Sequence, residues 1–589
     1  METRNTDSPY RFDPGSARRI RKKGTWLRDE AGRYVLLRGV NLGSRSKLAP
    51  YLPIYPASQK VPRADPQVFE AEVARVRPRL KALARELGVN FVRLVIAWEG
   101  VEPTRSPQPG RLTPDGTAYL ERVRDLLVEL KGLGLHVLVD FHQDIATYRL
   151  GGNGIPEWAV AVDPNYPLPE KRPAPTGSWG LNYYDALISP LVTPTNKQVR
   201  HALRSFWENR ITNAELTDYP ARDHFVGTFG ATAEFFMNAP QARDAILGYE
   251  AFNEPHQVGL DETVFEAKML PEFYRQAFAA VRRSDPDALF FAEPRVDWTT
   301  YALEGPEFRY LDHTQDPTTV LGLSDDADQG YVFSFHYYDP WLLEQAAKDL
   351  WILKVIAGDA MKTKEALWNH SFDRMLQAAK SRTLVPFLTE FGASQDWEPP
   401  TFETGLRPSV FQGSQAAAYM GLQFEQVERQ LLNATYWNAD FYNTTENGDD
   451  FNQENFSIIA PDWRFRHADV FARPYPYRSS AEPELLWFNL ESEHAALVLK
   501  GALVSTTEPT VVFVPRDQQY FRGFEVRATL GGAGHVAWDA DQSLLYWWPD
   551  PQAQEHLLVL NPRGEFNGQV LPARAQQLLP NATLALEVA

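Results

Sequence analysis

The sequence predicts an α/β chain, a (β/α)8 TIM barrel followed by an all-β sandwich, and three observations carry that expectation. Eight short apolar runs alternate with helical patterns across residues 24–480. Alternation of that kind calls for a parallel sheet covered on both faces. Polar side chains gather where the runs end: Asn41, Arg93, His142, Asn253 with Glu254, Glu293, His336, Glu390 and Trp437. Barrel enzymes place their sites at those carboxyl ends. After Ser480 the texture changes to closely spaced β-rich runs, the mark of a sandwich. The expected organisation is a polar leader over 1–23, a barrel over 24–480 and a sandwich over 481–589.

Composition narrows the function classes. With 589 residues, 44% of them hydrophobic, the chain can bury one large and one small core. Lys plus Arg number 59 against 76 Asp plus Glu, a net charge of −17 that argues against a phosphate-backbone ligand, so nucleic acid is not expected. The absence of cysteine excludes disulfides, thiolate nucleophiles and Cys-ligated metals. Met1 to Gly24 lacks the apolar core of a signal peptide. No run approaches the ~20 apolar residues of a membrane-spanning helix. The cytoplasm is therefore the expected location.

In order, the basic cluster Arg18 to Lys23 reads as a solvated tail. Trp26-Leu27 and Tyr34 to Leu37, separated by the turn signal Asp29-Glu30-Ala31-Gly32, read as a hairpin that feeds a first barrel strand over Val35 to Asn41. Pro66 to Leu87 carries Val68, Val73, Val76, Leu80, Leu83 and Leu87 at helical spacing, and Gly88 stops it. Val89 to Ile96 is a strand, Tyr119 to Leu133 a helix and Leu135 to His142 a strand. The insertion Gly151 to Tyr219 is rich in Gly, Pro, Asn and aromatics with little period, the profile of a functional loop. A helix over His224 to Asn238 precedes the strand Ile246 to Asn253, and another over Pro271 to Arg283 precedes Ala288 to Glu293. Strands over Tyr331 to His336 and Val385 to Glu390, a helix over Ser414 to Leu432, and Ala434 to Trp437 complete the barrel.

The chemistry centres on two acids. The run from Ile246 ends in Asn253-Glu254-Pro255, where proline stops the strand and presents the carboxylate at a loop. Val385 to Gly392 repeats the arrangement with Glu390. Two carboxyl groups across a barrel mouth can cleave a glycosidic bond, one protonating the leaving oxygen and the other attacking the anomeric carbon. Asn253 is suited to donate to a sugar 2-hydroxyl, and Arg93 to keep the nucleophile ionised. Three other readings fit less well. A structural ion pair does not explain Asn253 and the strand-end register. A metal-dependent hydrolase using His142, Asp144, His336 and Glu390 lacks His-x-His or His-Glu-x-x-His spacing, so neither metal nor cofactor is expected. A non-catalytic sugar- or lipid-binding barrel would show loss of one acid, and both are present. Glu293, in Glu293-Pro294-Arg295, reads as an ion-pairing support rather than a reacting group. Asp440, Asn443 and Glu446 follow the last strand as candidate substrate contacts.

Arg93, His142, Asn253-Glu254, His336-Tyr337-Tyr338, Glu390 and Trp437 resemble, in order and at the expected strand ends, the pattern of glycoside hydrolase family 5 of clan A. The resemblance implies a retaining enzyme with Glu254 as acid/base and Glu390 as nucleophile. It further implies that Arg93, His142, Asn253, His336 and Tyr338 position the sugar, with Trp437 as its stacking platform. Arg38 to Lys47, Asp140 to Asp144 with Gly151 to Trp158, and Asn253 to His256 are similar to the glucosylceramidase and steryl β-glucosidase branch, with endoglycoceramidases as relatives. That likeness implies hydrolysis of glucosylceramide or a steryl glucoside, with Asp144 on a terminal sugar hydroxyl. The alternative is an endo-acting enzyme, an endoglycoceramidase or β-1,4-glucanase. The apolar insertion Trp341 to Trp368 would cover a lipid aglycone and bring peripheral membrane contact, or else form a buried helix against the barrel.

Overall fold

The computed structural model describes residues 10–55, 65–166, 168–170, 194–210, 219–261, 264–295, 301–304, 307–310, 322–325, 327–337, 376–377, 379–393, 395, 415–444, 448–451, 455–532, 534–564 and 566–588. Eight parallel strands close a barrel: β1 (Arg38–Leu42), β2 (Phe91–Ala97), β3 (His136–His142), β4 (Ile246–Glu250), β5 (Leu289–Ala292), β6 (Tyr331–Tyr337), β7 (Val385–Phe391) and β8 (Asn433–Tyr436). β5 pairs with β6 and β8 with β1, so the sheet has no edge. The expected α/β barrel with additional β structure is thus observed.

Helices cover the outer face. α1 (Pro66–Glu86) begins at Asp65, whose carboxylate accepts the N–H groups of Gln67 and Val68. Its buried stripe is Val73, Val76, Leu80 and Leu83. α2 (Pro114–Gly132) is capped by Thr113 and buries Leu120, Val123, Leu127 and Leu130. The insertion holds a helix that its composition obscures, α3 (Pro194–Trp207). Val199, Leu203, Phe206 and Trp207 stand at i, i+4, i+7 and i+8 and are buried, a period hidden by the surrounding Gly and Pro. Phe206 and Trp207 pack against Phe252 and Phe273, one pair stacked and three edge-to-face, at ring separations of 5.0–5.8 Å. Phe252 directly precedes Asn253. α4 (Ala221–Met237), α5 (Leu270–Arg282) and α6 (Gln415–Arg429) complete the helices used below.

Two features differ from the sequence expectation. Residues from Tyr10 onward in the expected leader are part of the folded body. Ala17 and Ile20 are buried with Phe91, Leu138, Phe291, Val332 and Phe387 beneath the barrel, Arg18 pairs with Asp285, and Lys22 Nζ lies 3.0 Å from Asp325. A barrel must close its amino-terminal mouth, and two apolar residues suffice for that without leaving a periodic pattern. The first barrel strand starts at Arg38 rather than Val35. Asn433 Oδ1 accepts the Leu37 N–H at 2.9 Å, while Asn90 accepts from Arg38 at 2.9 Å and donates to the Leu36 carbonyl at 3.1 Å. These side-chain amides take the Leu37 and Arg38 N–H groups and the Leu36 carbonyl, and Tyr34–Val35 pairs instead in a second sheet.

That second sheet has seven strands, in the order Arg21–Lys23, Trp26–Arg28, Tyr34–Val35, Tyr475–Ser479, Thr510–Phe513, Leu544–Trp548 and His535–Asp539. It therefore draws strands from both ends of the chain. A five-stranded antiparallel sheet (Glu482–Phe488, Ala495–Lys500, Glu555–Pro562, Phe524–Thr529, Ala582–Val588) faces it. Val512, Leu545 and Trp547 of one sheet and Leu497, Val526, Leu558 and Leu560 of the other share one apolar cluster. The sheets join the barrel where Tyr475 Oη donates to the Gly88 carbonyl at 2.7 Å. The expected insertion 341–368 lies outside the described residues. Among those residues no helix is long and apolar enough to cross a membrane.

Candidate active site

The site is built on Arg93. It is the third of seven residues in β2, well before the strand end where sequence reading put it, and its long side chain reaches the mouth while remaining fully buried. The guanidinium fork bonds to three other strands and to the loop after β4. Nε donates to Glu250 at 2.5 Å, Nη1 to Asn41 at 3.1 Å and to Glu390, and Nη2 to Asn253 Oδ1 at 2.8 Å. Asp140 and Glu293 stand 3.1 and 3.4 Å from Nη2. Burial works against the charged guanidinium, but the acids outweigh it and hold Arg93 well above its usual range. A planar fork can make these bonds simultaneously; an ammonium cannot.

One guanidinium does not neutralise four carboxyls. Burial, and then the Asp140 charge, raise Glu250 despite Arg93 beside it. Burial and the charge of Glu250 push Glu293 well above the carboxylate range. The site therefore keeps protons on some of its acids, as like charges in a low-dielectric space must.

Glu254 lies in the loop after β4 and Glu390 is the penultimate residue of β7. Glu254 has φ 45°, a left-handed conformation uncommon for a residue with a side chain, and its N–H is held by Glu293 Oε2 at 3.0 Å. Gln143 Nε2 holds the Asn253 carbonyl at 2.8 Å, and Trp207 Nε1 holds that of His256 at 2.9 Å. His336 and Glu390 are register partners on β6 and β7, and the register shifts just before them, between Phe335 and His336. Such irregularities re-aim side chains at barrel rims. His336 Nδ1 is 2.9 Å from Glu254 Oε1 and 3.5 Å from Glu390 Oε2. One oxygen of Glu254, one of Glu390 and a His336 nitrogen lie within 4.8 Å of one another. A cation would find three ligand-type atoms there, but His336 already bonds Glu254, and Glu390 already accepts from Arg93. The geometry suits the handling of a proton between two acids.

A second group lies alongside. His142 Nδ1 meets Asp140 at 2.8 Å, because residues two apart on β3 point the same way, and Nε2 is 3.4 Å from Asp144. Asp144 also takes Lys47 Nζ at 3.0 Å and Asn153 Nδ2 at 2.6 Å. Burial lowers the His142 pKa, but Asp144 and Asp140 prevail and raise it to about 9. Burial raises Asp144, yet Lys47 and His142 hold it far below the carboxylate range. The Trp437 indole stacks on His142 at 5.6 Å with Lys47 Nζ 4.5 Å from its centre, and the Trp437–Asn438 peptide is cis.

Of the site residues read from sequence, Arg93, His142, Asp144, Asn253, Glu254, His336, Glu390 and Trp437 converge here, and Tyr338 lies outside the described residues. Asp440 is buried near Arg45, 4.0 Å away, and Asn443 is buried; Glu446 lies outside the described residues. Asp140, Glu250, Lys47 and Asn153 were missed as site residues. Charged residues inside apolar strands, such as Asp140 and Glu250, were a usable signal, since a buried charge needs a partner.

The family model for Cellulase (glycosyl hydrolase family 5) matches residues 73–443. The chain is 26% identical over 520 residues to endoglycoceramidase I of Rhodococcus hoagii, covering 87% of this chain and 82% of that one. It is 29% identical over 266 residues to a glucosylceramidase of Rhizopus delemar, covering 41% and 36%. In fold it is similar to endo-glycoceramidase II from Rhodococcus sp. in complex with ganglioside GM3, with TM-score 0.63, 21% identity and coverage of 92% and 100%. Cryptococcus neoformans sterylglucosidase 1 is similar too, with TM-score 0.65, 16% identity and coverage of 94% and 100%.

Proposed function

Because the chain belongs to glycosyl hydrolase family 5 and is a glycoside hydrolase, we propose that it is a retaining β-glycosidase that cleaves the β-glucosidic bond of a glucosylated lipid, glucosylceramide or a steryl glucoside. The observation that carries this reading is the closeness of the two acids, with oxygens of Glu254 and Glu390 within 4.8 Å. Inverting enzymes hold their carboxyls ~6.5–9.5 Å apart to seat a water, whereas retaining pairs stand ~5–5.5 Å apart.

In the first step Glu390 attacks the anomeric carbon, the glycosidic C–O bond breaks, and Glu254 gives its proton to the departing oxygen. In the second, Glu254 takes a proton from water, whose oxygen displaces Glu390 from the sugar. Arg93 pairs its charge with Glu390 and, through Asn253 Oδ1, orients the Asn253 amide toward the 2-hydroxyl. Asp144, fixed by Lys47, His142 and Asn153, takes outer sugar hydroxyls, and Trp437 lines the same wall. Tyr338 is proposed as a sugar-positioning residue on the strength of the family likeness. The lipid aglycone is supported by the relatives named endoglycoceramidase, glucosylceramidase and sterylglucosidase. The insertion 341–368 is its proposed cover and the proposed point of peripheral membrane contact. The barrel within residues 24–480 is the proposed catalytic unit and 481–589 the proposed accessory unit, whose seven-stranded sheet also takes in strands from residues 21–35 and 475–479.

An endo-acting reading has one observation in its favour: the endoglycoceramidase relative is matched over 87% of this chain, the glucosylceramidase over 41%. In both readings the glucose–lipid bond breaks; they differ in whether that glucose carries further sugar. Incubation with glucosylceramide and lactosylceramide in detergent separates them. Free glucose with lactosylceramide untouched supports the exo-acting enzyme, and intact lactose the endo-acting one. No sugar from either lipid refutes the sphingolipid substrate and directs the assay to steryl glucosides. Glu390→Gln abolishes release in any of these cases if the assignment holds.

A further inference from the structure

Glu293 has no part in the double displacement as written, yet it touches both members of the Glu254–His336 pair. Its Oε2 accepts the backbone N–H of Glu254 at 3.0 Å. Its Oε1 lies 3.5 Å from His336 Nε2, on the side of the ring opposite the 2.9 Å contact between Nδ1 and Glu254 Oε1. His336 is 6% exposed, and its Nε2 makes no hydrogen bond at that separation. A buried imidazole thus stands between two carboxyl groups, one at each nitrogen.

Burial holds His336 down to about 3, against the pull of Glu390. At neutral pH the ring is therefore uncharged, with one N–H and one lone pair, and its carboxyl neighbours decide which nitrogen has which. With the N–H on Nε2, it points at an ionised Glu293, and the Nδ1 lone pair accepts the O–H of a protonated Glu254. With the N–H on Nδ1, it points at an ionised Glu254, and Nε2 accepts from a protonated Glu293. Both arrangements hold two protons and the same charge.

We propose that Glu293 is a positioning residue that sets the tautomer of His336 and, through the ring, shares one exchangeable proton with Glu254. The exchange balances without a co-reactant: Glu254 gives its proton to Nδ1 as Nε2 gives its own to Glu293 Oε1, and the reverse restores the first state. The inference rests on the reading of Glu254 as the acid. Its consequence is that the acid titrates as a pair. Losing a proton from Glu254 leaves two carboxylates about one ring, and their mutual repulsion opposes that loss. The other charges facing the chain are His142, Arg93, whose Nη2 donates to Glu293 Oε1 at 3.4 Å, and Asp140, 3.1 Å from that Nη2, with Glu250 on the same guanidinium. Glu390 stands 3.5 Å from His336 Nδ1, and Tyr274 Oη from α5 donates to the Glu293 carbonyl at 3.0 Å. Burial and Glu250 push Glu293 up, which fits it to accept the proton.

Glu293→Gln tests the idea. The Glu254 N–H needs an acceptor, so the glutamine oxygen takes the place of Oε2 and its NH2 faces His336 Nε2. That locks the Nδ1–H tautomer, favours ionised Glu254 and removes the neighbouring charge. All three act in one direction. On an alkyl β-glucoside, whose leaving group needs protonation, the alkaline limb of kcat/KM moves to lower pH by on the order of one unit. Glu293→Asp, which keeps a titrating carboxyl, leaves the limb near the wild-type position. A limb unmoved in Glu293→Gln with kcat merely reduced overturns the proposal and leaves Glu293 a backbone prop. Should that variant not fold, ring 15N shifts of His336 in the wild-type protein decide: intermediate values at both nitrogens support tautomer exchange, and a ring locked in one tautomer across about pH 5–8 overturns it. Full activity in Glu390→Gln, or release of the inverted anomer, would instead remove the catalytic reading while leaving the 15N result standing.

Discussion

Asp144→Asn tests the electrostatics beside the acids. His142 is buried, which alone would lower its pKa, yet it stands near 9 against an ordinary 6.5 because Asp144 and Asp140 face its two nitrogens. That rise of about 2.5 units corresponds to roughly 3 kcal/mol favouring the charged ring in the folded protein. For a group raised on folding, the contribution is complete below pH ~6.5 and is lost as pH climbs through 9. Asp144→Asn removes the larger of the two attractions and leaves the 2.8 Å contact with Asp140. His142 should then titrate lower by on the order of 1–2 units. The variant's stability deficit should be greatest near pH 6 and narrow toward pH 10, where the residual cost is the lost Lys47–Asp144 ion pair. Ring 1H–13C spectra, with His142→Gln to assign the signal among 12 histidines, give the pKa directly. Urea unfolding at the two pH values gives the difference in stability. A wild-type His142 titrating at or below 6.5, or a deficit that grows with pH, would refute the argument.

Three further outcomes follow from particular contacts. Arg93→Lys keeps a charge but cannot hold Glu250, Asn253 and Glu390 together, so kcat should fall by about 10²-fold or more while the circular dichroism spectrum is unchanged. Gly39→Ala would place a Cβ 2.0 Å from the Phe91 carbonyl oxygen, a backbone atom that cannot yield, and 3.0 Å from the Thr435 methyl; a loss of about 3 kcal/mol or more is expected in denaturant titration. Trp207→Phe keeps the aromatic packing but loses the 2.9 Å bond to the His256 carbonyl, which should cost about 1 kcal/mol and lower kcat more than it changes KM.

Much of this was readable in the chain. Strand runs such as Val385–Glu390 and helical stripes such as Val76–Leu80–Leu83 are local periodicities, and they name their elements directly. Asn253-Glu254-Pro255 and Glu390 declare themselves for the same reason: an acid at the end of an apolar run has few structural uses. The helix inside the long insertion was present as a period and was masked by its composition. The N-terminal segment was misread because Ala17 and Ile20 acquire meaning only from the barrel floor they fill. Arg93 was found from its strand, but its reach was not, since register says nothing about how far a side chain extends.

The sequence by itself determined the element order, the barrel, the two acids and most of their neighbours, because side-chain period and chain-stopping residues act over a few positions. Tertiary structure alone decided that Glu250, Asp140 and Glu293 crowd one guanidinium and that Lys47 meets Asp144. It also decided that His336 stands between Glu254 and Glu293, and that strands at residues 21–35 complete a sheet with residues 475–548. Those facts depend on barrel closure and on pairings between segments hundreds of residues apart, where burial and charge compensation act through space and leave no local pattern in the chain.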